Sequence, residues 1–150
     1  MAQSLAKILV HIVFSTKGRV PSINLSIEPE LHAYMATVLR RLESLALEIG
    51  GSDDHVHVLC SLGRKVSVAD LIKELKHSSS GWIKSKGGEY RSFYWQGGYA
   101  AFSIGESGVA ACRTYIRNQR VRHRKVSFQD ELRALLSRYR VEFDERYVWD

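Results

Sequence analysis

Two short patterns in this chain of 150 residues place metal-binding and nucleophilic side chains at workable spacings. The first is His55-Val56-His57. In an extended segment residues i and i+2 project from one face, so both imidazoles stand opposite Val56 and Val58 at a separation that can chelate one cation. The same three residues also fit two exposed or hydrogen-bonded histidines. The second pattern is Tyr115 with Gln119, four apart and so on one face of a helix, at the flank of an apolar stripe of Val109, Cys112 and Ile116. A phenol is a potential nucleophile, and an amide oxygen can ligate a hard cation. A tyrosine at the edge of a core also serves as an amphipathic packing residue with its hydroxyl in water. Imidazole and amide ligands without a thiolate suit Mg²⁺ or Mn²⁺ better than structural zinc. Asp53 and Asp54, just before the histidines, either add an oxygen ligand or shape a turn.

The charge is unevenly placed. The chain carries 22 Lys+Arg against 16 Asp+Glu, a net +6. From Ser107 to Gln129 there is no acidic residue, while Arg113, Arg117, Arg120, Arg122, Arg124 and Lys125 supply six cations around Tyr115. A local cationic block on an otherwise balanced chain fits a polyanionic partner, or a solvated helix face.

The elements that must position these residues follow from periodicity. Ile8 to Ser15 is a continuous β-branched run and reads as a buried strand, closed by Lys17-Gly18-Arg19-Val20-Pro21. Leu31, Tyr34, Met35, Val38, Leu39, Leu42 and Leu45 predict an amphipathic helix over 28–47 with Pro29 in its first turn. Leu45 to Ile49 and His55 to Leu62 form two strands, with Gly50-Gly51-Ser52-Asp53 as a tight turn between them. Ser67 caps a helix that runs to about Lys84. Phe93 to Gln96 and Tyr99 to Ile104 are β-prone, 107–123 is helical, and Phe128, Leu132, Leu135 and Leu136 mark a last helix. This order predicts an α+β fold: a ferredoxin-like, split βαβ antiparallel sheet with helices on one face, plus an appended helix carrying Tyr115 and a C-terminal helix, all in one domain.

The length and 45% hydrophobic content suffice for one core and exclude disorder. No apolar run reaches the ~18 residues of a membrane span. Neither a signal-peptide pattern nor CxxC spacing is present, so the reading is a cytoplasmic protein whose Cys60 and Cys112 are buried free thiols.

Several separated segments, HIVFSTKGRVP, DHVH, LIKELKHSSSGWIK, FYWQGGYAAFSI, YIRNQ and SFQDEL, follow one another as in a known family. Over residues 8 to 136 the chain resembles the single-strand DNA transposases of the TnpA type, one-tyrosine members of the HUH nuclease class (His, hydrophobic, His) from insertion sequence 200/605-type elements and their domesticated relatives. The resemblance implies that His55, His57 and Gln119 bind a divalent metal, Mg²⁺ or Mn²⁺, and that Tyr115 is the catalytic nucleophile. It implies cleavage and rejoining of single-stranded DNA at hairpin-marked ends, through a 5′-phosphotyrosine with a free 3′-OH as the leaving group. Members often carry a second histidine beside the one that follows the glutamine, whereas here His123 is followed by Arg124.

The resemblance further implies a homodimer whose sheets join and whose active site is shared between chains, with Phe93 to Ile104 and the strand near Ile8 as candidate edges. Under this reading DNA meets Lys17 and Arg19 in the first loop, Lys73, Lys76, Ser78 and Ser79 on the second helix, and Arg113, Arg117 and Arg120 around Tyr115. Two competing readings are a domesticated tyrosine nuclease that acts on hairpin repeats, and a non-catalytic ferredoxin-like nucleic-acid-binding module.

Overall fold

The computed structural model of the chain describes residues 2–150. Strand β1 (Leu9–Ser15) lies inside a four-stranded antiparallel sheet of order β2-β3-β1-β4, with β2 at Ala46–Gly51, β3 at His55–Ser61 and β4 at Ala100–Ile104. Helix α1 (Glu28–Arg41) connects β1 to β2, and α2 (Val68–Lys84) connects β3 to β4. This is the predicted split βαβ arrangement. Among the described residues no helix is long and apolar enough to cross a membrane.

Strand alternation divides the side chains between two layers. Val10, Ile12, Phe14, Val56, Val58 and Cys60 point to one face and pack with Leu31, Met35, Val38 and Leu39 of α1 and Leu71, Ile72, Leu75 and Ile83 of α2. Each such buried aliphatic or phenylalanine side chain contributes about 1.5–3 kcal/mol. The opposite face receives His11, Val13, His55, His57 and Phe102. It is covered by three further helices, α3 (Val109–Arg117), α4 (Gln119–Arg122) and α5 (Phe128–Arg138). There Val13, Ala100 and Phe102 meet Phe128, Leu132, Leu135 and Leu136, with Tyr139, Val148 and Trp149 packed outside them. The sheet is therefore covered on both faces, and the histidines of β3 project into the second layer.

Several boundaries differ from the sequence reading. Helix α1 stops at Arg41 rather than Leu47, because Glu43 takes a positive φ of 54° that turns the chain into β2. Gly50 and Gly51 belong to β2, and the turn is carried by residues 52–54. Phe93 to Gln96 is not a strand; it makes one bridge, Thr16 to Trp95. Trp95 is core, donating from Nε1 to Ser79 Oγ at 2.9 Å and meeting Phe14 and Phe93 edge-on with centroids 4.8 Å away. The 107–123 segment is not one helix, since Asn118 (φ −92°, ψ 15°) separates α3 from α4. Strand β1 is flanked on both sides and cannot be a joining edge, whereas β4 is an edge.

The Tyr115 helix is seated by one glycine. A Cβ at Gly50 would lie 2.3 Å from the backbone oxygen of Ile116, so only glycine lets α3 rest on β2 at that point. Gly50 is paired with His57 across the ladder. The close approach thus sets Tyr115, the neighbour of Ile116, beside His57.

Candidate active site

His55 and His57 are completely buried on β3, on the face that α3 and α5 cover. Their rings are held from behind. His55 Nδ1 lies 2.8 Å from Asp54 Oδ1, and His57 Nδ1 lies 2.8 Å from Nε2 of His11, whose ring stacks on it at 5.0 Å. The two Nε2 atoms are thereby turned inward, toward oxygens supplied by α4 and α5. Gln119 Oε1 is 2.9 Å from His55 Nε2, and Glu131 Oε1 is 3.0 Å from His57 Nε2 and 3.5 Å from His55 Nε2.

His123 closes the far side. Its Nε2 lies 2.8 Å from Gln119 Oε1 and 3.1 Å from Glu131 Oε1, and its Nδ1 donates to Val126 O at 2.6 Å. The other carboxylate oxygen, Glu131 Oε2, accepts from Gln119 Nε2 at 2.9 Å, from Arg122 and from the hydroxyl of Tyr115. The Tyr115 ring stands edge-on to His57 at 5.6 Å and to His11 at 6.1 Å, with the Arg122 guanidinium 5.2 Å from its centroid.

The donor set fits a divalent cation. The inward-facing ligand atoms of His55, His57 and Glu131 all lie within 4.8 Å of one another, and the Gln119 amide oxygen joins them. An outward Nδ1 tied to a carboxylate leaves Nε2 as the ligating nitrogen, as in other histidine metal sites. Two imidazoles, a carboxylate and an amide oxygen make a mixed nitrogen–oxygen donor set without thiolate.

The electrostatics follow from burial. The Tyr115 phenol is pushed above its ordinary value by burial and then by the Glu131 carboxylate, against the opposing pull of Arg122. Burial alone would raise Glu131. Hydrogen bonds from His123 and His57 outweigh it and hold the carboxyl well below the usual range. Burial drives His57 down to about 4 against the pull of Glu131, and burial followed by the proximity of His57 drives His11 down to about 3. His123 is also opposed by burial, but its bond to Glu131 raises it.

These shifts predict an acid-sensitive fold in the metal-free protein. His11 and His57 are neutral when folded and titrate near 6.5 when unfolded, so the unfolded chain takes up protons first as pH falls. Stability is expected to fall from pH 6.5 toward 4, by up to about 1.4 kcal/mol per pH unit for each ring. His123, with its raised value, contributes stability that is complete below 6.5 and lost above it, so it adds no slope in that window. Urea unfolding in chelator at pH 7 and pH 5 checks this; an unchanged midpoint would contradict it.

The structure brings Tyr115, His55, His57 and Gln119 together within a single chain. Gln119 does so across the Asn118 break, its Nε2 reaching the Tyr115 carbonyl at 3.4 Å. Asp54 orients His55, and Asp53 pairs with Arg120 instead. Sequence reasoning missed Glu131, His11 and the bridging role of His123. A signal existed for two of them: Glu131 interrupts the apolar stripe Phe128, Leu132, Leu135 on α5, and His11 interrupts the apolar run of β1.

The basic block is less free than its sequence implies. Arg113 and Arg117 meet Glu48 at 3.2 and 3.0 Å, Arg120 meets Asp53 at 2.6 Å as well as Glu28, and Arg122 meets Glu131 at 3.2 Å. Among the described residues only Arg124 and Lys125 of the six lack a carboxylate partner. Lys17 and Lys73 are exposed, whereas Arg19 donates to Trp149 O at 3.3 Å. Lys76 is half-buried against the carbonyls of Gln96, Gly97 and Gly98, and burial lowers it to about 8. Ser78 donates to Glu74. Ser79 does not reach the surface, its hydroxyl being committed to Trp95 and the Leu75 carbonyl, so it has no group to offer DNA. Cys60 is buried and pushed up to about 12 by that burial, while Cys112 is half-buried.

A ferredoxin-like sheet that presents a His-hydrophobic-His pair to a helix-borne tyrosine and glutamine defines the one-tyrosine HUH class. The sequence agrees: residues 4–119 match the family described as IS200-like transposases, and the chain belongs to that family. Two solved structures share the fold. One is a candidate transposase from Deinococcus radiodurans R1, with 20% identity and TM-score 0.62 over 79% of this chain and 98% of that one. The other is a REP-associated tyrosine transposase bound to a REP hairpin, with 15% identity and TM-score 0.61 over 84% of this chain and 74% of that one. No similar sequence is found among the curated proteins.

Proposed function

We propose that this transposase-family chain cleaves and rejoins single-stranded DNA beside hairpins, using Tyr115 as nucleophile and a divalent metal held by His55, His57, Gln119 and Glu131. The observation that carries it is the convergence of Tyr115, His57, Gln119 and Glu131 on one buried carboxylate-centred site within one chain. When bound, the metal supplies positive charge at a non-bridging oxygen of the scissile phosphate. The chain does the rest. Tyr115 is neutral at rest, and Glu131 Oε2, already its hydrogen-bond acceptor, holds the phenolic proton while the oxygen is aimed into the site. The Tyr115 O–P bond formed replaces the P–O3′ bond broken, and the phenolic proton passes to Glu131 Oε2 as Tyr115 attacks. The leaving 3′-oxygen takes up a proton from solvent, and the 3′-OH so formed is the nucleophile for rejoining.

Hairpin recognition draws support from the fold neighbour that carries a REP hairpin. Arg113 and Arg117 are half-exposed against Glu48, and such pairs are individually weak in water, so these two arginines are free to exchange carboxylate for phosphate. Lys17 and Lys73 are exposed, and Arg19 is held to the Trp149 carbonyl. A homodimer in this reading joins through β4 and is not needed to supply Tyr115. Against a non-catalytic module that stacks bases on an open sheet stands the cover on both sheet faces.

The His55→Ala, His57→Ala double variant tests the metal role. Cleavage of single-stranded oligonucleotides from the DNA flanking the coding sequence should drop below detection, while their binding in chelator changes less than about threefold. Retained cleavage would remove the histidine pair from the mechanism.

A further inference from the structure

Helix α4 carries Gln119 to His55 and leads into His123, yet its four residues make too short a helix to hold a direction by themselves. Nor does it own an apolar anchor, since Val121, its one aliphatic residue, is 60% exposed. Gln119 and Arg122 end on His55, His123 and Glu131, and so depend on the site they would have to define. Arg120 is the α4 side chain that reaches elements outside it.

Its guanidinium is spread over three supports. Nη1 donates to Asp53 Oδ1 at 2.6 Å, and Nη2 donates to the Glu28 carboxylate and to the Ile23 carbonyl at 3.4 Å. Glu28 opens α1, and Asp53 immediately precedes Asp54, the carboxylate behind His55. The Ile23 segment is itself tied to that turn, its N–H donating to Asp53 O at 2.9 Å. One side chain thus fastens the Gln119 side of the site to the His55 side, and both to α1. Successive helical residues point about 100° apart, so a fixed Arg120 also fixes the direction of Gln119.

The same geometry withdraws Arg120 from the basic block. Its Nε is shut off from solvent without a hydrogen-bond partner, so the guanidinium edge through Nε is closed to a phosphate, and the η nitrogens already serve two carboxylates. A lysine would leave no such orphaned N–H, but a point charge lacks the planar fork that meets supports lying in different directions. We propose that Arg120 is a positioning residue of the metal site: it clamps α4 to Glu28 and Asp53 so that Gln119 meets the histidine pair, and it makes no contact with DNA. The proposal rests on the reading of His55, His57 and Gln119 as metal ligands.

The test titrates full-length protein with Mn²⁺ well below its thermal midpoint, reading unbound Mn²⁺ by electron paramagnetic resonance. Arg120→Lys keeps the charge and loses the fork, whereas Glu28→Gln removes one support and touches no ligand. Mn²⁺ binding is expected to weaken about tenfold or more in the first and about threefold in the second. Ile72→Val, a core change on the other sheet face, controls for lost stability and should keep the wild-type affinity. Unchanged Mn²⁺ affinity in Arg120→Lys, or equal weakening in Ile72→Val, overturns the clamp while the metal reading stands. If Arg120→Lys does not fold, Glu28→Gln decides by the same criterion. A wild type that binds no Mn²⁺ overturns the metal reading and the clamp with it. For DNA, Arg120→Gln in chelator should bind a single-stranded hairpin oligonucleotide with the wild-type salt dependence; a log–log slope reduced by about one makes Arg120 a phosphate contact and overturns the assignment.

Discussion

Tyr115→Phe is expected to lose covalent capture of single-stranded DNA while remaining folded and able to bind metal. The phenol oxygen is the only atom removed, and it is the atom that would become the ester oxygen of the phosphotyrosine. Loss of a nucleophile is among the largest single-residue effects in catalysis, so adduct formation should fall at least about a thousandfold. The structural cost is smaller. Tyr115 gives one hydrogen bond to Glu131, which keeps His57, His123, Gln119 and Arg122 as partners. A hydrogen bond to a charged group is worth about 1.5–3 kcal/mol, so the variant should unfold somewhat earlier and still cooperatively. A denaturing gel with labelled oligonucleotide and Mn²⁺ reads the adduct, and a shifted band in Tyr115→Phe equal to the wild type would sink the assignment. The readout separates nucleophile from prop, since a packing residue would change the unfolding midpoint without removing the band.

Tyr115 and the histidine pair were legible because their spacing maps onto simple periodicities, two on a strand and four on a helix. The split βαβ arrangement followed from the order of strands and helices that those periodicities mark along the chain. What the sequence could not supply was anything decided by contact between distant elements. Gly50 reads locally as a turn residue, and its role appears only when α3 rests on β2 through it. Ser79 and Lys76 read as polar donors on a solvated helix, yet Trp95 and the carbonyls of 96–98 fold over them. The acid-free block reads as unpaired charge, but Glu28, Glu48, Asp53 and Glu131 reach it from four other places in the chain. Charge balance along a sequence window is blind to pairs separated by 60 or 90 residues.

Glu131 is the residue where this matters most, because a carboxylate on the apolar stripe of α5 is costly unless the rest of the site surrounds it. Its two oxygens receive His57, His123, Tyr115, Gln119 and Arg122, and its side chain is only 1% exposed. Glu131→Gln keeps the shape but turns an amide nitrogen toward groups that are themselves donors. Removing one partner of a buried charged network typically costs about 3–5 kcal/mol, and a loss of that size is expected in chelator. Mn²⁺ then separates the two roles the geometry allows. A ligand that binds only the folded state stabilises it in proportion to the logarithm of its concentration over Kd, so wild-type protein should gain about 2.7 kcal/mol at a hundredfold excess over Kd. If Glu131 completes the site with His55 and His57, that gain should fall by half or more in Glu131→Gln at the same Mn²⁺ concentration. An undiminished Mn²⁺ gain on a destabilised protein would confine Glu131 to holding His57, His123 and Tyr115 in place and leave Gln119 as the oxygen ligand. If the Gln variant does not fold, Glu131→Asp, which keeps the charge but shortens its reach, carries the same comparison.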